Sequence, residues 1–170
     1  MAFINSWMLA SKKFSGFPPN YPVPSSGHTL FYIQRNVNKN TVVYDLNYLS
    51  DGTIDTEMPI NVYWIMYENK GEKRNINFLQ RKLAYGYNVT KNDGYELEIQ
   101  LVSYKKRRIY LSMDANGEYK AYMLINGTTA VLKNIFVYAN ESGAFPSVEY
   151  VEMFGVNEAD DKVVYEKISL

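Results

Sequence analysis

Cysteine is absent from this 170-residue chain, histidine occurs once, and 18 basic residues are balanced by 18 acidic ones. Each shortage removes a class of function. Without cysteine there are no disulfides, no thiolate metal sites and no thiol nucleophile. A histidine-based metal centre needs more imidazoles than His28 alone provides, so no metal ligands are assigned. A serine-histidine-acid device would have to be built on that one residue, with only Ser25, Ser26 and Thr29 as sequence neighbours. The patterns GxSxG, GxxxxGK[ST] and GxGxxG are all missing, which leaves no nucleophile elbow and no phosphate cradle. We therefore assign no catalytic residue and no cofactor.

Zero formal charge gives no long-range attraction to nucleic acid or to an anionic membrane, and no nucleic-acid partner is expected. No apolar run approaches the roughly 20 residues that cross a bilayer, so no membrane span is expected. Near the start, Trp7-Met8-Leu9-Ala10 is too short for a signal core, and Lys12 and Lys13 follow it instead of preceding it. This tilts the expectation toward the cytoplasm over the periplasm.

What the chain does have is tyrosine, 16 residues of it, beside eight phenylalanines and two tryptophans. Such residues suit a pleated, half-buried surface. At this length about 70% of the unfolded surface can be buried, enough for one core. Residues 1–28 differ from the rest. Four of the six prolines fall in Pro18-Pro19-Asn20-Tyr21-Pro22-Val23-Pro24, which favours an extended arm and excludes a central strand. We expect Phe14, Phe17, Tyr21 and Val23 to lay that arm over a single β domain comprising residues 29–170.

Within the domain, Leu30–Arg35 and Thr41–Leu46 read as a hairpin joined through residues 36–40. Ile60–Tyr67 is apolar on both faces and needs cover on each. Ile76–Tyr85 is the one helical segment, with Asn75 as N-cap, Gly86 just past its end, and Ile76, Leu79 and Leu83 as the buried stripe. Tyr95-Glu96-Leu97-Glu98-Ile99-Gln100-Leu101 alternates cleanly, as does Arg108–Met113. Asn116-Gly117 and Asn126-Gly127 mark tight turns. Further strands follow at 129–139, 148–156 and 163–168. About nine strands and one packed helix over about 75–85 imply a mainly β fold, either an antiparallel lipocalin-like barrel or a two-sheet sandwich.

Several polar groupings have plain structural explanations. Asp45, Asn47, Asp51, Asp55 and Glu57 resemble a calcium loop, but aligning Gly52 with its glycine puts Leu49 and Met58 at ligand positions. The run Lys105-Lys106-Arg107-Arg108 between Tyr104 and Tyr110 fits a charged hairpin tip. Glu96, Glu98, Glu118, Glu149 and Glu152 could form a glycosidic pair only by folding together in a cleft, a distant alternative that would make the protein a hydrolase.

The informative polar residues lie inside apolar strands or on the helix. A buried charge needs a partner, and Arg35 with Asp45 is the expected pair. Arg35, Tyr44, Trp64, Tyr67, Arg81 and Tyr85 are the candidate lining of a pocket for a small, anionic molecule. Gln34, Asp45, Asn61 and Gln80 are the candidate structural polar cluster. A non-enzymatic binding module follows, with a protein-interaction or structural role through the arm and a sheet edge as the alternative. Oligomeric state is not encoded in any motif.

The series Leu30-Phe31-Tyr32-Ile33-Gln34-Arg35-Asn36, Asn40–Asp45, Pro59–Ile65 and Leu83-Ala84-Tyr85-Gly86 resembles an uncharacterised bacterial family, domain of unknown function 4833, common in Bacteroidetes. The similarity continues through Val148–Gly155 and Tyr165-Glu166-Lys167-Ile168, so it covers most of residues 20–168. It implies a bacterial source and one domain, and it brings no activity. Many members of that family begin with an export signal, a pattern from which this chain departs.

Overall fold

The computed structural model describes residues 18–91, 96–144 and 147–170. Phe14, Phe17 and Tyr95 lie outside these described residues. Within them, β1 (Thr29–Arg35) and β2 (Asn38–Leu46) form the first hairpin, and β3 (Ile60–Met66) and β4 (Glu72–Asn75) extend it. A short helix, α1 (Phe78–Gln80), runs into a π turn over Arg81–Tyr85. A meander follows: β5 (Tyr87–Lys91), β6 (Leu97–Leu101), β7 (Ile109–Met113) and β8 (Tyr119–Ile125). The chain ends with β9 (Thr128–Asn140), β10 (Ser147–Asn157) and β11 (Lys162–Ser169).

The strands pair in the order β4-β3-β2-β1-β9-β8-β7-β6-β5, with β10 on β9 and β11 on β10. The protein is mainly β, and this path curls into a half barrel with one helix. Two strands beyond the expected nine are present, β4 and β5, one at each end of the path. Both are short, and β4 is exposed throughout, so neither carries the apolar run that marks a central strand.

β9 is the hub. It pairs with β8 through Thr128–Val131, with β1 in parallel through Asn134–Val137, and with β10 from Val131 to Asn140. The register opposite β10 skips Lys133, passing from Asn134↔Phe154 to Leu132↔Gly155. Such a bulge bends a strand, and it falls where β9 passes from β8 to β1. Gly155 sits at this bend because nothing larger fits. A Cβ there would come within 2.8 Å of the Ile125 side chain and 2.9 Å of the Val131 carbonyl. The β8–β9 turn uses Asn126 and Gly127 with φ of 47° and 76°, the two left-handed positions of a type I′ hairpin.

The interior is formed by Phe31 and Ile33 of β1, Val42 and Tyr44 of β2, Val62 and Trp64 of β3, and the inward residues of β6 to β10. Phe31 and Tyr44 stack with ring centroids 4.3 Å apart. On the other face of β1 and β2 the end of the arm provides cover. Tyr21 meets Phe136 edge-on at 5.4 Å, Gln34 Nε2 donates to the Pro22 carbonyl at 2.7 Å, and Pro24 is buried. Val23 is 43% exposed.

The helical segment departs from its expected packing. Its N-cap is Asn77, whose side chain accepts from Gln80 N–H while Gln80 Oε1 accepts from Asn77 N–H, a reciprocal capping box. Phe78, Leu79 and Leu83 are 74%, 63% and 66% exposed, so the 76-79-83 stripe is not the buried face. Only three residues hold α geometry before the π turn, so a 3.6-residue period does not describe the segment. It docks instead through Tyr85, edge-on to Trp64 at 5.1 Å, and through Gln80 Oε1, which accepts from Trp64 Nε1 at 3.3 Å. Gly86 is extended, not left-handed. A side chain is excluded there because a Cβ would fall 1.9 Å from the Arg81 carbonyl oxygen.

Candidate functional site

Alternation along β1 turns Arg35, its last residue, to the same interior side as Phe31 and Ile33. There the guanidinium lies over the Trp64 ring, 5.6 Å from its centroid. Trp64 contacts Tyr85, and the Tyr44 hydroxyl donates to the Tyr85 carbonyl at 2.8 Å. Burial raises the Tyr85 phenol pKa, and the nearby Arg35 charge partly opposes that shift. Burial raises Tyr44 further, so its hydroxyl stays protonated and available as a donor.

Arg35 and Tyr85 line a cavity of about 250 Å³, with Trp64 and Tyr44 in contact behind them. Ile33, Ile135 and Val137 come from the β1–β9 seam, Val148, Val151 and Met153 from β10, and Leu101 and Tyr104 from the end of β6. Ala84 and Tyr85 cover it from the π turn, and Leu170 closes it from the chain end. Ser103, Ser147 and Arg35 are its polar lining. The Arg35 Nε is buried, with no hydrogen-bond partner among the described residues.

Of the six expected lining residues, Arg35 and Tyr85 line this cavity, while Trp64 and Tyr44 touch them without lining it. Tyr67 lies elsewhere, in a single 3₁₀ turn, close enough to Tyr32 and Tyr63 to add to the burial that raises their pKa values. Arg81 lines an open cleft beside β5. The expected Arg35–Asp45 pair does not form. Register places Arg35 opposite Asn38 and Asp45 opposite Thr29, at opposite ends of the hairpin. Asp45 instead accepts three hydroxyls, from Ser26 at 2.7 Å, Thr29 at 2.8 Å and Tyr63 at 2.7 Å.

The polar cluster divides likewise. Gln34 is buried and also donates to Thr41 Oγ1 at 3.0 Å, and Gln80 ties Trp64 to the helix cap, but Asn61 is exposed. Two charges of the basic run are absorbed by ion pairs, Arg107 with Glu166 and Arg108 with Glu98. Glu149 accepts from Asn140, and Glu152 from Tyr165. In the acidic loop, Asp55 accepts the Glu57 and Met58 N–H groups, which makes it a turn.

Sequence reasoning did not find the cavity wall from β10 and Leu170. Nothing local marks it, because those residues meet Arg35 only through pairings more than 100 residues distant in sequence.

The fold defines the class first: a curled β domain with an apolar cavity and one arginine at its wall. The chain belongs to a particular family, Domain of unknown function (DUF4833), whose profile matches residues 31–167. No curated protein and no solved structure matches it.

Proposed function

We propose that this protein binds a small carboxylate with an apolar body, the body in the cavity and the carboxylate on Arg35. One observation carries this reading: a guanidinium nitrogen is buried without a partner at the wall of an otherwise largely apolar cavity. A buried polar donor left unmade costs about 1–3 kcal/mol, more when charged. A ligand carboxylate would supply the missing acceptor through charge-assisted hydrogen bonds. The cavity is slightly smaller than those that take drug-sized ligands, which favours a short acyl or aryl acid. Trp64 and Tyr85 hold the guanidinium in place, and the Tyr44 bond fixes Tyr85 in turn.

The test is calorimetric titration of the full chain with octanoate and benzoate, against octanol and benzyl alcohol. The acids should bind at least about tenfold more tightly than the alcohols, about 1.4 kcal/mol. Arg35→Leu should erase that preference while keeping the cavity wall apolar. Equal binding of acid and alcohol, or an unchanged preference in Arg35→Leu, would overturn the reading.

A further inference from the structure

The ends of the sheet are protected unequally. β4 carries Glu72, Lys73 and Arg74, and β11 carries Lys162, Glu166 and Lys167, the charged side chains by which edge strands resist pairing. β5 carries a single charge, Lys91, at its last position; before it Tyr87, Asn88, Val89 and Thr90 are uncharged, and all four line an open cleft of about 1090 Å³. Its backbone is ready to pair. The Val102 N–H donates to the Gly86 carbonyl at 3.0 Å. By the alternation of an antiparallel ladder, Gly86 and Asn88 face β6, while the N–H and C=O of Tyr87 and Val89 face away. Among the described residues no backbone hydrogen bond takes those groups up. The Tyr87 hydroxyl pins the strand from below, donating to the Ile60 carbonyl at 2.6 Å and accepting the Ile60 N–H at 3.0 Å.

The other walls are cationic. Among the described residues, Arg81, Lys82 and Lys105 line the cleft with one carboxylate, Glu57. Met58 and Leu83 are 58% and 66% exposed at its sides. We propose that the outer edge of β5 accepts an extended acidic peptide segment as an added strand. Main-chain bonds to Tyr87 and Val89 would supply affinity, Arg81 and Lys105 would select acidic side chains, and Met58 and Leu83 would receive the apolar side chains between them. This is the strand-addition mode of peptide recognition. It uses a surface separate from the Arg35 cavity, so either reading can fail alone.

Fluorescence anisotropy of a labelled peptide of alternating glutamate and valine, titrated with the full chain, tests it. We expect saturable binding that alternate backbone N-methylation weakens at least about tenfold. Val89→Pro should do the same, because it removes an outward N–H while leaving the β5–β6 ladder intact. Arg81→Glu combined with Lys105→Glu should shift preference to a lysine–valine peptide. Should Val89→Pro fail to fold, the N-methylated peptide on the unaltered chain decides alone. No binding of the acidic peptide, equal binding of its N-methylated form, or equal binding of the lysine–valine peptide would each overturn the proposal.

Discussion

Asp45 shows how single residues tie the arm to the sheet. Its two oxygens take the hydroxyls of Ser26, just after the proline-rich stretch, Thr29 at the start of β1, and Tyr63 in the middle of β3. A nearly buried carboxylate is tolerated because several donors replace water. Asp45→Ala would remove the common acceptor and leave three hydroxyls to find others. Hydrogen bonds to charged groups are worth about 1.5–3 kcal/mol, so we expect a loss of about 2–3 kcal/mol, seen as a lower urea midpoint at unchanged slope. Limited proteolysis should also become faster within residues 22–28. An unchanged midpoint and cleavage rate would show that the carboxylate does not anchor the arm. That a charge inside Thr41-Val42-Val43-Tyr44-Asp45-Leu46 needs partners was readable, although the partner expected from the sequence was Arg35. Its partners were not readable, because hydroxyls drawn from the arm and two different strands leave no sequence pattern.

At the scale of elements, the helical segment is the sharpest case. Apolar residues at 76, 79 and 83 suggested one buried face, yet two of those three side chains face water. A finer signal was present. Asn77 is followed three residues later by Gln80, the spacing of a capping box, whereas Asn75 is followed by Phe78. Starting the helix at Asn77 leaves too few residues for a long amphipathic stripe. Leu83→Lys should therefore shift stability by no more than about 0.5 kcal/mol, as exposed substitutions do. Tyr85→Ala should cost about 3–5 kcal/mol, as truncating a packed aromatic does. Chemical denaturation of the two variants separates these packings, and the reverse ranking would restore the 76-79-83 face. The missed strands β4 and β5 have a common cause. Both are short: β4 is exposed at every position, and β5 places only Tyr87 and Val89 against the core, too few alternating residues to mark a strand.

For the whole molecule, the many tyrosines set the response to pH. Burial raises the phenol pKa values of Tyr32, Tyr44 and Tyr63 above the ordinary 10.0, and for Tyr63 the bond to Asp45 adds to it. In the unfolded chain these phenols ionise near 10, so above that pH the unfolded state binds fewer protons than the folded one. Their contribution is complete below pH 10 and declines as pH rises past it. We expect one alkaline transition in which tyrosinate absorbance rises as far-UV circular dichroism is lost. Tyr44→Phe should move it to higher pH. Ionisation of the whole tyrosine complement near pH 10 with the dichroism intact would contradict the burial assigned to Tyr32, Tyr44 and Tyr63.

Local chemistry in the chain determined what could be decided over a few residues: which segments alternate, where Asn126-Gly127 turns, and where proline forbids a ladder. It also determined which activities lack their residues. The tertiary structure alone decided the parallel seam between β1 and β9, the bend at Gly155, and the cavity with Arg35 at its wall. Those depend on pairings between distant segments. Their geometry is set by how the whole sheet twists and curls, a property that no window of neighbouring residues contains.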